Sequence, residues 1–274
     1  MALGSAGALR PKQPRNTWLT GAAAALMLLL YAVAGAIAPW SPKRGAGLVF
    51  GVAAALVFVF EMAYPLRRAR ARPLGTAQRW LQAHVYLGVL ALLAVLIHTG
   101  FRAPGGLMGW SLLLLSAWTT VTGLVGVWLQ KWLPAVMAEG LRVEALYERI
   151  PALVQHLAEE ADALIANASD PLERFYTTEV RGRLAAVEPS WVYLLDVRAG
   201  RERALEPFRR MITFVDPEEK EIVNDLMTIR MEKMDLDVHY SLQGVLRRWL
   251  IVHVPPAALL MALLVLHILA WAVY

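Results

Sequence analysis

The chain has 274 residues, 58% hydrophobic and 18% charged, with no cysteine and a formal charge of +5. It is too apolar for an ordinary soluble domain, which carries about 25% charged residues, and far too apolar for disorder. The lack of cysteine excludes disulfides, thiolate zinc sites, iron–sulfur clusters, covalently attached c-type haem and a cysteine nucleophile.

The basic balance, with a pI near 9.6, would suggest nucleic acid if the charge were spread evenly. It is not. Outside residues 131–248 there are eleven Lys and Arg and a single acid, Glu61, whereas residues 131–248 hold sixteen Lys and Arg against twenty-one Asp and Glu. The first set sums to +10 and the second to −5, so two regions suited to different solvents share the chain and no nucleic-acid partner is expected.

In chain order, a basic tail (residues 1–16, with Arg10, Lys12 and Arg15) precedes an apolar run at Trp18–Ala38. Ala36-Ile37-Ala38 has the look of a signal-peptide cleavage site, but the run is long for one and is read as a retained span. Further runs long enough to cross a bilayer follow at Gly47–Tyr64, Leu81–Phe101, Leu107–Leu129 and Trp249–Val273. Spans one to four thus occupy residues 17–130, and the fifth occupies 249–274. The loop between spans two and three carries Arg67, Arg68, Arg70, Arg72 and Arg79, while the alternate loops hold only Lys43 and Arg44, then Arg102. The positive-inside rule then places the N-terminus and residues 131–248 in the cytoplasm, and Tyr274 on the opposite side of an inner (cytoplasmic) cell membrane.

Residues 131–248 are predicted to form a soluble, mainly helical cytoplasmic domain inserted between spans four and five. Pro151 opens an amphipathic pattern through Leu153, Leu157, Ala161 and Leu164. Asp170-Pro171 and Asp216-Pro217 each offer an N-cap followed by proline at the first helical position. Trp191–Val197 is expected to be a short strand before a turn at Ala199-Gly200, and one long helix is expected from Glu218 into the fifth span.

Four of the six histidines lie in apolar spans: His84 and His98 in the third, His253 and His267 in the fifth. Ionisable groups in a bilayer are costly and point to function. Fourteen residues separate the members of each pair; in a helix that is an advance of ~21 Å and a return to within ~40° of the starting face. Each span therefore offers two imidazoles on one stripe. Spans three and five run parallel, so His84 should meet His253 near the cytoplasm and His98 should meet His267 near the far face. One tetrahedral zinc cannot use all four across ~21 Å, whereas axial imidazoles on either side of a flat macrocycle would hold two haem b groups without cysteine. His156 is expected at the surface of the acidic region. His239, fourteen residues before His253, has the polar flanks Asp235 and Asp237 and is set aside.

Both ligand spans open alike, with Arg79-Trp80-Leu81 before His84 and Arg248-Trp249-Leu250 before His253. Arg79 and Arg248 are candidates for haem propionates through charge-assisted hydrogen bonds, with Arg102 their counterpart on the far side; the same Arg-Trp pair is also an ordinary interfacial anchor. Gly88, one turn from His84, could admit the macrocycle. Pro255 and Pro256 directly after His253 should bend span five if its helix is continuous there.

This arrangement resembles the di-haem membrane cytochromes b: cytochrome b of the quinol–cytochrome c oxidoreductases and, more closely in the order and polarity of its ligands, the transmembrane domain of ferric reductases and NADPH oxidases. The resemblance rests on His84, His98, His253 and His267 and covers a four-helix core, within an all-α membrane protein of five spans. It implies a transmembrane electron wire through two bis-histidine haems. The expected partners are a cytoplasmic flavin or iron–sulfur subunit docked on 131–248, a cytochrome c-like protein on the far side, quinone, and membrane lipid. The chain would then be the electron-transfer subunit of an oxidoreductase complex. Two readings from other classes stand beside it: a haem-free, histidine-based proton or ion transporter, and a membrane anchor subunit whose histidines are structural.

Overall fold

A computed structural model describes residues 14–63, 76–140 and 146–273, with side chains for all but 14–15, 77–78 and 134–140. Arg10, Lys12, Arg67, Arg68, Arg70, Arg72 and Tyr274, all part of the topology argument, lie outside the described residues. Every element among those residues is helical, and the chain divides into two compact units, Met1–Val127 with Ile251–Tyr274, and Trp128–Leu250.

The apolar unit is built from α1 (Pro14–Ile37), α2 (Gly45–Met62), α3 (Ala77–His98) and the first part of α4 (Gly106–Gly140), together with the last part of the final helix. Five helices are long and apolar enough to cross a membrane. Small residues let their backbones approach: Ala54 on α2 and Ala91 and Ala94 on α3 are buried with Phe58 and Leu260 in one cluster, joined by Met27, Leu112 and Leu115. In lipid such close packing replaces the hydrophobic driving force between helices. The outward faces carry Leu29, Leu56, Leu114 and Leu269, all exposed, as lipid-facing surface requires and a water-facing one would not tolerate over so wide an area.

The second unit begins with α5 (Ile150–Ile165), α6 (Asp170–Phe175), a π-helical turn (Tyr176–Val180) and α7 (Arg181–Leu184). A 3-10 turn (Trp191–Leu194) and α8 (Arg201–Met211) follow, and then α9 (Glu219–Val273), whose 55 residues run on into the apolar unit. Its core gathers Ile150, Val154, Leu157, Ala161 and Ile165 of α5 with Leu172, Tyr176, Val180, Leu184, Phe208 and Leu226.

Local details differ from the sequence reading. The buried stripe of α5 starts at Ile150 rather than Leu153, because the helix begins one residue before Pro151 and Val154 and Ile165 face inward; Leu153 is exposed. The cap of α6 is Ser169, and Asp170 is the first helical residue. The Ser169 hydroxyl donates to Glu219 Oε2 at 2.9 Å and its amide donates to Oε1 at 2.8 Å, so the serine is tied to the start of α9 and its side chain does not cap α6. Asp216 precedes α9 by a turn, with the Glu219 amide on its carbonyl at 3.0 Å. The strand expected at Trp191–Val197 is a 3-10 turn: the Ser190 hydroxyl accepts from the Val192 amide at 3.3 Å, and the Leu195 and Asp196 amides both return to the Val192 carbonyl. Alternating apolar residues favour a strand only where a neighbouring edge can pair with it, and all surrounding elements are helices.

Helix α9 continues through Pro255 and Pro256. A proline lacks the amide that would bond the carbonyl four residues back, which frees the carbonyls of Ile251 and Val252. The indole of Trp118 on α4 donates to the Val252 carbonyl at 3.1 Å, restoring one of the two where water is absent and a lost bond is expensive. Trp118→Phe should therefore destabilise the protein by about 1–3 kcal/mol, and in a Pro256→Ala background, where the Val252 carbonyl regains a helical partner, the same change should cost much less. Thermal unfolding of the single and double variants measures the difference; equal losses in both backgrounds would refute this role for Trp118.

Candidate functional site

The structure brings His84 of α3 and His253 of α9 together, with ring centroids 6.3 Å apart and ring planes at 78°. Each ring is half-buried, and each is held by its Nδ1. The Glu61 carboxylate near the end of α2 pairs with His84 Nδ1. His253 Nδ1 lies 2.9 Å from the Thr122 hydroxyl of α4. That hydroxyl also lies 2.8 Å from the Trp118 carbonyl and 3.3 Å from the Thr119 carbonyl, as serines and threonines inside helices do; with its proton on either carbonyl it accepts from His253. A carboxylate likewise only accepts. A neutral imidazole whose Nδ1 donates to such an oxygen carries its proton on Nδ1, the arrangement that outer partners give to metal-ligating histidines.

His98 is held in a similar way. His98 closes α3, and its Nδ1 donates to the Gly47 carbonyl of α2 at 2.8 Å. A carbonyl has no proton to give, so the His98 Nδ1 carries the proton of this bond. A side chain at Gly51 would put its Cβ 2.5 Å from His98 Nδ1 and 2.7 Å from Cε1; only glycine leaves room for the ring. The end of α3 is pinned by aromatic donors. Trp40 donates from its indole to the His98 carbonyl at 3.2 Å, and the Tyr31 hydroxyl donates to the Gly100 carbonyl at 3.3 Å. These bonds satisfy carbonyls that a helix terminus leaves orphaned. Gly100 has φ of +65° and a Cβ there would press on the Trp40 ring, which makes glycine necessary twice over. His267 is half-buried.

Around His84 and His253 lies an open cleft of about 70 Å³, lined by Phe58, Val85, Val89, Leu124, Leu260 and Met261 among others, with Glu61, Thr119 and Thr120 as polar edges. Gly88 and Gly123 both line it. A Cβ on Gly88 would meet nothing within 4 Å, and one on Gly123 would lie 3.5 Å from His253 Cε1.

The arginines do not converge on this cleft in one common manner. Arg79 is exposed in the first turn of α3, its amide donating to the capping Thr76 hydroxyl at 3.3 Å. Arg102 is exposed after α3. Arg248 lies in the second unit with its guanidinium 4.7 Å from the centre of the Trp191 ring, a cation–π contact. Trp80 stacks on Phe60 at 5.3 Å, and Trp249 packs with Leu129, Leu133, Val238 and Leu242. His156 is exposed; His239 is buried, as are Asp235 and Asp237 beside it, so polar flanks did not mean a solvated segment.

Sequence reasoning missed the partners of the histidines. Glu61 stood out as the sole acid outside residues 131–248, and Thr122 belongs to a hydroxyl-rich run (Ser116, Thr119, Thr120) inside an apolar span. Both signals were present, but nothing in the spacing tied them to an imidazole on another helix.

A metal–imidazole bond of about 2 Å plus about 1.1 Å from nitrogen to ring centre, taken twice, gives about 6 Å between two rings on opposite sides of one metal. The observed 6.3 Å fits that spacing, and it also lies in the range of two rings in direct edge-to-face contact. Among the described residues no group of three or more His, Cys, Asp or Glu could hold an ion by itself, so a metal between these rings would need its remaining ligands from elsewhere, as a macrocycle provides. No family model, curated protein or solved structure matches the chain.

Proposed function

We propose that the chain is a membrane cytochrome b subunit that holds two haem b groups, one between His84 and His253 and one between His98 and His267, and passes single electrons from one face of the membrane to the other. The observation that supports it most is the 6.3 Å separation of the His84 and His253 rings with both Nδ1 atoms engaged elsewhere. Haem held by His84 with His253 and by His98 with His267 would supply one-electron redox chemistry. The protein's part is to orient ligands and exclude water. Glu61 and Thr122 fix the tautomer and rotation of the first pair, and the Gly47 carbonyl fixes His98. Gly88, Gly123 and the apolar residues of the cleft leave space for a flat ring. Arg79, Arg102 and Arg248 remain candidates for the propionates; for Arg248 this would mean giving up its place over Trp191.

With both axial positions taken, substrates would not bind the iron, and electrons would enter and leave at the haem edges through partners. A flavin or iron–sulfur subunit on residues 131–248, a cytochrome c-like protein opposite, and quinone are the partner classes that suit a cysteine-free chain of this topology, with the N-terminus cytoplasmic. The haem-free relay finds one favourable observation, the Glu61 carboxylate on His84, because an acid beside a histidine can pass a proton.

A reduced-minus-oxidised absorption spectrum of the purified protein, with a pyridine haemochrome assay, separates the two. The haem reading expects b-type bands and about two haems per chain. A folded, colourless protein would overturn it and leave the relay.

A further inference from the structure

The 3-10 turn at Trp191–Leu194 has two apolar faces, and only one of them is accounted for. Tyr193, Leu194 and Val197 pack inward against Leu129, Leu133, Val238 and Leu242. Trp191, Val192 and Leu195 point the other way and are 67%, 53% and 91% exposed. A cytoplasm-facing turn would be expected to carry polar residues there.

The level of this turn is set by its neighbours within the same unit. The guanidinium of Arg248 sits over the Trp191 ring. Arg248 immediately precedes Trp249, the first residue of the apolar stretch 249–273, and one helical residue is a rise of only ~1.5 Å. Trp249 belongs to the apolar cluster that the turn itself covers. On α4, Trp128 and Trp132 are stacked with ring centroids 5.1 Å apart, beside Leu129 and Leu133 of that same cluster. Tryptophans gather at the boundary between hydrocarbon and water, and arginine beside them reaches toward headgroups. Trp128, Trp132, Trp249 and Trp191 together have the composition of such a belt, although Trp191 comes from the middle of the inserted domain.

We propose that the Trp191–Leu195 turn is a membrane-surface anchor: Trp191, Val192 and Leu195 insert into the lipid interface beside the start of the fifth span. The proposal rests on residues 249–273 crossing a bilayer and is independent of what the histidines bind. Its occupant is lipid rather than a protein partner, because within its own unit the turn packs with Trp249, at the start of the apolar stretch, and Trp191 is flanked by the interfacial Arg248.

The chain has no cysteine, so single cysteines can be spin-labelled without background. Leu195→Cys and Val192→Cys in the full chain, reconstituted in phosphatidylcholine–phosphatidylglycerol nanodiscs, would be compared with Glu160→Cys as a water-facing reference and Leu56→Cys as a lipid-facing one. The expected result is oxygen accessibility approaching that at residue 56 and accessibility to a water-soluble nickel chelate several-fold below that at residue 160, at both positions. Nickel access equal to that at residue 160 would overturn the anchor. Exclusion of both reagents would overturn it too, in favour of a protein surface covering the patch. If the label at residue 56 were itself water-accessible, the membrane-spanning reading beneath the proposal would fail instead.

Discussion

If the chain holds two haems as proposed, alanine at His84 should lower the haem content from about two per chain to about one, and alanine at His253 should remove the same haem. An axial imidazole is one of only two protein bonds to the iron of a bis-histidine site, so loss of either ligand is expected to release the group or leave it five-coordinate. Alanine at His98 or His267 should remove the other. The test therefore lies in the identity of the haem that remains. Reduced spectra and redox titrations of the His84→Ala and His253→Ala proteins should superimpose, and should differ from those of the His98→Ala and His267→Ala proteins, which should match one another. Four different residual spectra, or depletion of both haems by every variant, would show that the rings of a pair do not share one iron. The structure gives a reason to expect distinguishable haems. The first pair is held by a carboxylate and a hydroxyl, whereas His98 is held by a backbone carbonyl, and such outer contacts tune the ligand and the metal.

The second large effect is expected in the other unit and concerns stability. Lys233 has no exposed surface, and Asp235, Asp237 and His239 are buried with it along α9. Lys233 Nζ donates to Asp237 Oδ2 at 2.8 Å, while Asp237 Oδ1 accepts from the Glu188 amide at 2.8 Å. Burial pushes the Lys233 ammonium below its ordinary value and the Asp237 carboxyl above its own. Both shifts say that charging these groups inside the domain is costly and that each is tolerable only beside the other. Removing Asp237 leaves Lys233 only the more distant Glu188 Oε2 at 3.8 Å; breaking such a buried pair typically costs about 3–5 kcal/mol. Asp237→Ala should thus lower the melting temperature of this unit by roughly 10 °C or more. Asp237→Asn, which keeps an acceptor for the Glu188 amide, should lose less. Calorimetry or circular dichroism of the full chain measures both, and a change of only a degree or two in Asp237→Ala would mean that water reaches the pair.

Much of the architecture was legible from residue order because the bilayer constrains it so tightly. Long apolar runs have few folded options in lipid, and the helices fall where those runs do. The fourteen-residue intervals were legible for the same reason: a regular helix converts sequence separation directly into height and face. Legibility ended where an answer depended on a second helix. The turn at Trp191 was mistaken for a strand because period-two apolarity is ambiguous without knowledge of what it packs against. The cap of α6 shifted by one residue because Ser169 is engaged by Glu219, fifty positions away.

By itself, then, the sequence determined that the chain has five stretches long and apolar enough to cross a membrane, with a charged region before the last, and that four histidines lie in two of them at fourteen-residue intervals. Both are local quantities, the apolarity of a segment and the spacing of residues within it. Tertiary structure alone decided that the His84 and His253 rings stand 6.3 Å apart, that Glu61, Thr122 and Gly47 hold three of the imidazoles by Nδ1, and that Trp118 serves the carbonyl freed by Pro256. Each of those is a contact between helices distant in sequence, set by rotation and register, and a one-dimensional pattern carries no information about either until the helices are packed.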